Sequence, residues 1–288
     1  MTQHAAAGGK PAGRGASAGP ADRPVAGASQ AGDAVKPSDA YVQSFARGLA
    51  VIRAFNAERP AMTLTEVADA AGLTRAGARR ILLTLVQLGY VVAEGRLFRL
   101  TPRILELGFA YLTSMPFWDL AEPIMEELAN EAHQSCSATV LDGTDIVYVL
   151  RIPTGRIMSI NLGIGSRLPA YCSAMGRVLL AGLADEEIEA VLARSELRAH
   201  TPLTVTDPVR LKEAILKVRQ QGWSLVDREL ETGLVAIAAP IRDRSGRTVA
   251  ALNLSGQAHR ITARQMQDDL LPLLCRAAER INDLMKRV

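Results

Sequence analysis

The stretch from Met62 to Gly89, MTLTEVADAAGLTRAGARRILLTLVQLG, constrains the fold more than any other part of the chain. It spells two short helices joined by a tight turn. Thr63 with Glu66 three residues later makes a capping box, Met62 and Val67 flank it as a hydrophobic staple, and Gly72 ends the first helix. Thr74 caps the second helix by accepting a hydrogen bond from a backbone N–H near Gly77. Ala78, Ile81, Leu82 and Leu85 then recur at the spacing of a buried stripe. The opposite face is cationic, with Arg75 and Arg79 one turn apart and Arg80 beside them. Ala76 and Gly77 are small enough to let the helix N-terminus approach a phosphate or a base edge. A helix-turn-helix places such residues in the major groove of double-stranded DNA. Taken alone, the stretch leaves a plainer reading open, because helix pairs with a glycine turn are common and an arginine cluster is often only a solvated face.

The segment from Tyr90 to Leu100 favours DNA. Tyr90 to Ala93 and Arg96 to Leu100 read as short strands around Glu94-Gly95, with Phe98 and Leu100 alternating against Arg99. This hairpin is a wing, on which Arg96 at the tip and Arg99 on the outer face reach the sugar-phosphate backbone. Ahead of the motif, Phe45, Leu49, Ile52 and Phe55 recur at helical spacing with Ser44 as cap, predicting a buttressing helix packed on Ile81 and Leu85. Arg47 and Arg53 are its exposed members. Between Tyr41 and Trp118 arginines outnumber carboxylates nine to five, although the whole chain carries only +3. The basic excess therefore sits with the helix-turn-helix.

A chain of 288 residues at 48% hydrophobic content suggests two domains, each with its own core. Residues 1–40 are Ala, Gly, Pro and Ser with nearly cancelling charges, the composition of a disordered tail. The winged helix-turn-helix spans 41–101. Thr101-Pro102 starts a linker helix over 102–116 with Ile104, Leu107 and Tyr111 as its stripe, ended by Ser114-Met115-Pro116. The second domain, 117–288, opens with a helix from Asp119 to His133. A hairpin of Cys136–Leu141 and Ile146–Arg151 comes next, then a run from Ile157 to Leu162 and a loop from Arg167 to Tyr171. Ser173 caps the helix of CSAMGRVLLAGL, and Asp185 and Asp207-Pro208 start two more. Strands resume at Trp223–Asp227, Gly233–Ile241 and Val249–Ser255, and a closing helix starts at Thr262 with Pro272 as a kink. The expected class is α+β, with a mainly antiparallel sheet whose helices cover one face.

No apolar run is long enough to span a bilayer and no signal peptide opens the chain, so a cytoplasmic protein without a membrane partner is expected. Cys136, Cys172 and Cys275 cannot all pair and lack CxxC spacing, so neither a disulfide framework nor a metal site is expected. Nor does any motif call for a cofactor. Besides a ligand-controlled regulator, two other classes stay open. One is an enzyme with Cys172 as nucleophile and His133 or His200 as base, although no local Cys–His signature supports it. The other is a redox-sensing DNA-binding protein using Cys172 and Cys136, which would need an exposed thiol of low pKa.

From Tyr41 onward the order of parts resembles the IclR-type bacterial transcriptional regulators. The resemblance is carried by VQSFARGLAVIRAF, the helix-turn-helix, GRLFRLTPRILELG, PAYCSAMGRVLLA, DRELETGLVAIAAPI and AALNLSG. Within that family, YVQSFARGLAVI, LTRAGARRILLTLVQLGYV and RIPTGRIM are similar to regulators of aromatic-acid catabolism through the β-ketoadipate pathway. The resemblance implies a GAF-like effector domain, a small organic acid as effector, operator DNA and self-association as a dimer or dimer of dimers. It implies no enzyme activity. Matched residue by residue, it also implies an effector pocket with Ala174, Met175 and Gly176 at a helix start, Asp227 at the mouth, Ala236 on the floor, and Asn253 and Ser255 on the last strand. Ala174 departs from the hydroxyl or glycine the family often has there, which points to a different arrangement of effector hydrogen bonds.

Overall fold

The computed structural model describes residues 41–113, 117–153 and 162–286. The chain divides into two compact units between Thr101 and Pro102. The tail over 1–40, the end of the linker helix at 114–116 and most of the strand expected over 157–162 lie outside the described residues.

In the first unit, α1 (Gln43–Ala54) precedes a two-residue strand β1 (Met62–Thr63), then α2 (Leu64–Ala70) and α3 (Arg75–Gln87). The capping box forms as expected. The Thr63 N–H donates to Glu66 at 2.7 Å, and the Glu66 N–H donates to the Thr63 hydroxyl at 3.4 Å. Met62 and Val67 are buried in one core with Val51, Phe55, Leu82, Leu85 and Val91. Two expectations for α1 are corrected. Ser44 lies inside the helix, whose N-cap is Val42 without a side-chain bond. The helix also carries two apolar stripes, and the buried one is Val51 with Phe55, whereas Phe45 and Leu49 are exposed. At 100° per residue Phe45, Leu49 and Ile52 lie on a neighbouring face, so helical spacing alone could not choose between them.

The wing is β2 (Val91–Glu94) paired with β3 (Leu97–Leu100), and β3 also pairs with β1. Glu94 opposes Leu97, so the turn is Gly95-Arg96, one residue later than the sequence suggests. Gly95 has φ 62°, a left-handed backbone that glycine accepts without strain, which fixes the turn there.

The second unit begins with a 3-10 turn, Pro102–Ile104, and α4 (Leu105–Thr113). Leu107 and Tyr111, read as part of the linker helix's apolar stripe, are exposed, and no residue of α4 is buried. Then come α5 (Phe117–Ala132), β4 (Ser135–Asp142), β5 (Asp145–Ile152), β6 (Arg167–Pro169), α6 (Ala174–Ala181), α7 (Asp185–Arg194), α8 (Pro208–Gln221), β7 (Ser224–Asp227), β8 (Leu234–Arg242) and β9 (Thr248–Gln257). The chain closes with α9 (Ala263–Gln265), a π-helical turn over Met266–Leu270 and α10 (Leu271–Met285). Pro272 lacks an N–H for the helical ladder, and the wide turn just before it absorbs the break.

The six strands form one antiparallel sheet in the order β6-β5-β4-β9-β8-β7. The segment from Arg167, expected as a loop, supplies its edge strand. Helices cover both faces rather than one. Along β8, Val235, Ile237, Ala239 and Ile241 pack with α5 and α10, while Ala236 and Ala238 pack with α6 and α8. Every residue of α6 is buried, because it lies between the sheet and α8. A short run, apolar apart from Arg177, does not announce which way it faces.

Candidate DNA-reading and effector sites

On α3 the cap works as the sequence predicts, with the Gly77 N–H donating to the Thr74 hydroxyl at 3.1 Å. Ala78, Leu82 and Leu85 are buried and Ile81 half-buried, which turns Arg75, Ala76, Arg79 and Arg80 outward together. Among the described residues none of these three arginines is held in an ion pair, so their guanidinium groups stand ready for an anionic partner. Arg96 at the wing turn is exposed too, as is Arg47 on α1. Arg99 differs, since it leans on Glu94 across the hairpin at 3.6 Å. That exposed pair is weak and can be exchanged for a phosphate.

In the second unit the sheet gathers most of the expected effector residues on the α6 side. Ala236 opposes Ser255, and Asn253 opposes Ala238. Ser135 and Ser137 on β4 oppose Ser255 and Asn253, adding hydroxyls that sequence reasoning missed. Their signal was the alternation S-C-S-A-T, which puts Cys136 and Ala138 into one core and Ser135, Ser137 and Thr139 on the other face. Above them starts α6, where the Thr139 hydroxyl lies 3.3 Å from the Met175 sulfur.

Gly176 plays a different part from the one expected. Its N–H already donates to the capping Ser173 hydroxyl at 3.1 Å, which leaves the N–H groups of Ala174 and Met175 as the donors of the first turn. A Cβ on Gly176 would stand 2.1 Å from the Ala170 carbonyl oxygen, so glycine is what lets α6 lie against the preceding loop. Asp227 stands apart from the group. Its cross-strand partner Val235 packs in the α5–α10 core, so Asp227 belongs to that face, and its carboxylate is held by Arg228 at 3.0 Å. A cleft of about 270 Å³ does exist in this unit, but it lies at the other end of α6, beside Gly182, Arg219 and Thr248.

The residue pair that sequence reasoning missed entirely is Arg177 with Glu229. Both guanidinium NH2 groups donate to the carboxylate at 2.7 Å, and the Arg177 Nε–H donates to the Tyr171 carbonyl at 2.9 Å. Glu229 also accepts from the Val205 N–H at 3.0 Å. The pair is buried and saturated with partners. It clasps α6 to the β7–β8 loop, joining the SAMGR and DRELETG segments. Their separation of 52 residues hides the pairing from any local motif.

The cysteines lie on opposite sides of the sheet, Cys136 in the α5–α10 core and Cys172 in the α6 core. Burial pushes the Cys172 thiol up to about 12 and the Cys136 thiol higher still. Burial of both thiols disfavours the thiolate that the enzyme and redox readings would need. Among the described residues no cluster of His, Cys, Asp and Glu suits a metal, and no helix is long and apolar enough to cross a membrane.

A capped, arginine-faced helix beside a wing, followed by an α+β unit, defines the class of winged-helix DNA-binding regulators. The model of the IclR helix-turn-helix domain matches residues 44–95, and that of the bacterial transcriptional regulator IclR C-terminal domain matches 109–283. The chain belongs to the IclR family of transcriptional regulators. It is 42% identical to the Pca regulon regulatory protein of Pseudomonas putida over 83% of this chain and 82% of that one. A crystal structure from Rhodococcus sp. RHA1, of a protein named as a transcriptional regulator, is 51% identical, covering 86% of this chain and 99% of that one with a TM-score of 0.78. An IclR homologue from Microbacterium hydrocarbonoxydans, solved with 4-hydroxybenzoate, is 25% identical, with a TM-score of 0.75 over 85% of this chain and all of that one.

Proposed function

We propose that the protein switches genes of aromatic-acid catabolism by binding operator DNA through α3 and the wing, under control of a small aromatic acid held in the second unit. The observation that carries the DNA half is the outward triad Arg75, Arg79 and Arg80 beside a capped helix start, with Thr74, Ala76, Arg96, Arg99 and Arg47 around it. Replacing Arg75 or Arg79 by alanine should weaken binding to a duplex that the parent protein selects from random-sequence DNA. The expected loss is about 1–3 kcal/mol for a bidentate base contact, with the circular dichroism spectrum unchanged. Parent-like affinity in both variants would remove α3 as the reading helix.

For the effector half, the acid's carboxylate sits at the N–H groups of Ala174 and Met175, where a helix N-terminus favours an anion. Its ring packs on Met175 and Ala236, and Asn253 and Ser255 supply polar contacts from the sheet. The 4-hydroxybenzoate-bound homologue supports an aromatic acid over an aliphatic one. A protein working on the chromosome through these sites belongs in the cytoplasm.

Self-association completes the reading. Phe45 on α1 is 68% exposed and Phe109 on α4 is 64% exposed, with Tyr41, Val42, Leu49, Leu105, Leu107 and Tyr111 also open. Large apolar side chains in such numbers on two helices and the residues leading into the first need a cover, and a second copy supplies both the cover and the second half-site. Light scattering should give a dimer or a dimer of dimers at micromolar protein. A monomer both with and without DNA would contradict this.

A further inference from the structure

The cleft of about 270 Å³ at the far end of α6 has no part in either proposed site. Val178, Ala181, Leu183, Val218 and Pro240 give it apolar walls, and two guanidinium groups, Arg219 and Arg242, border it. Water occupies about 30 Å³ per molecule in the liquid, so the space takes roughly nine non-hydrogen atoms. That is the size of a short chain or a single ring. Because α6 is eight residues long, the cleft lies about 10 Å along the helix from its first turn.

A helix C-terminus ordinarily repels an anion, because its last carbonyls are left without partners. Arg219 removes that obstacle here. Its Nε–H donates to the Ala181 carbonyl at 2.9 Å and its Nη2 to the Leu183 carbonyl at 2.6 Å, while Nη1 holds Asp185 at 2.6 Å. Arg242 is held in another way. Its backbone N–H donates to the Asn282 side-chain oxygen at 2.8 Å, and its Nη1 donates to the Gly246 carbonyl at 3.1 Å and the Thr248 hydroxyl at 3.2 Å. Thr248 is in turn seated on the end of α6, since a Cβ on Gly182 would stand 2.6 Å from the Thr248 Cβ. These bonds fix the guanidinium of Arg242 but leave its Nε–H and Nη2 without a partner among the described residues. Nor does any carboxylate among them pair with it. The contrast is Arg247 on the same turn, which spends its Nε and Nη2 on Asp243 at 3.0 and 2.9 Å.

The Nε–Nη2 edge of a guanidinium is a two-donor fork that matches the two oxygens of a carboxylate. In Arg242 that edge is positioned and unspent at the border of an apolar cleft. We propose that this cleft is a second small-molecule site, separate from the effector site, which takes a monocarboxylate with its charge on Arg242 and its apolar body against Val178, Val218 and Pro240. A bare anion would leave the apolar walls wet, and an uncharged molecule would leave the fork unused. A second carboxylate would bring a charge against walls that offer it no donor.

The test is saturation-transfer NMR titration of the full chain with hexanoate, acetate and hexanamide, using the parent protein, Arg242→Gln, Arg242→Lys and Ala236→Leu. The parent should bind hexanoate with a Kd of about 10 mM or tighter, and acetate and hexanamide each about fivefold or more weakly, since one lacks the body and the other the charge. Arg242→Gln should erase the preference for hexanoate over hexanamide while leaving hexanamide alone. Arg242→Lys keeps the charge without the fork and should weaken hexanoate by about threefold. Ala236→Leu, at the opposite end of α6, should leave hexanoate binding within about twofold of the parent. Absence of hexanoate binding in the parent, equal binding of acetate or hexanamide, a preference that survives in Arg242→Gln, or hexanoate binding abolished by Ala236→Leu would each overturn the proposal. If Arg242→Gln loosens the β8–β9 turn, Arg242→Lys decides, and parent-like hexanoate binding there would overturn the two-donor anchor.

Discussion

Arg177→Ala is expected to destabilise the second unit by about 3–5 kcal/mol, seen as a lower denaturant midpoint at unchanged slope. The substitution leaves Glu229 buried with one remaining donor, the Val205 N–H, and leaves the Tyr171 carbonyl without the Arg177 Nε–H. An ionised carboxylate in that position costs far more than a lost surface contact, which is worth about 0–1 kcal/mol. Replacing both partners, Arg177→Met with Glu229→Leu, removes the stranded charge and should recover a large part of the loss. A single-variant effect under about 1 kcal/mol would mean that water reaches the pair and that the clasp between α6 and the β7–β8 loop is loose. The clasp matters for function because α6 is the element whose first turn faces the proposed effector.

How far the sequence alone could reach depends on the range of the interaction. Local signals were legible. The Thr63–Glu66 box, the Thr74, Ser173, Asp207 and Thr262 caps and the β4–β5 hairpin all depend on residues a few positions apart, and all appear in the structure. The arginine face of α3 was legible too, because the buried stripe opposite it fixes the helix rotation. Apart from the Ser44 cap and the one-residue shift of the wing turn, what failed needed knowledge of a partner surface. Phe45 and Leu49 have the spacing of a core stripe but lie open, while Val51 takes the core place. Leu107 and Tyr111 behave alike. The second layer of helices was missed because AMGRVLLA is too short to show a period, and Arg177 reads as a surface charge until Glu229 arrives from a distant loop.

The proposed effector site was legible only in part. Asn253, Ser255 and Ala236 converge through strand register, and the capped start of α6 was visible in the CSAMG run. Asp227 was misplaced because alternation at the end of β7 carries it to the other face with Val235. The first-turn donors were overcounted, since Ser173 already engages Gly176.

Ala236→Leu has the largest functional effect expected of any single change. Ala236 is 8% exposed, opposes Ser255 and faces the α6 core, so a leucine fills the floor on which the ring of the effector would rest. The first unit keeps its own core of Val51, Met62, Val67 and Leu82, and DNA binding should survive the change. The direct measurement is fluorescence anisotropy of a labelled operator duplex, selected by the parent protein, titrated with and without saturating 4-hydroxybenzoate. The parent should change its operator affinity when the acid is added. Ala236→Leu should bind the operator as the parent does without acid and show no change with it. A variant that responds to the acid like the parent would contradict control of DNA binding from this site.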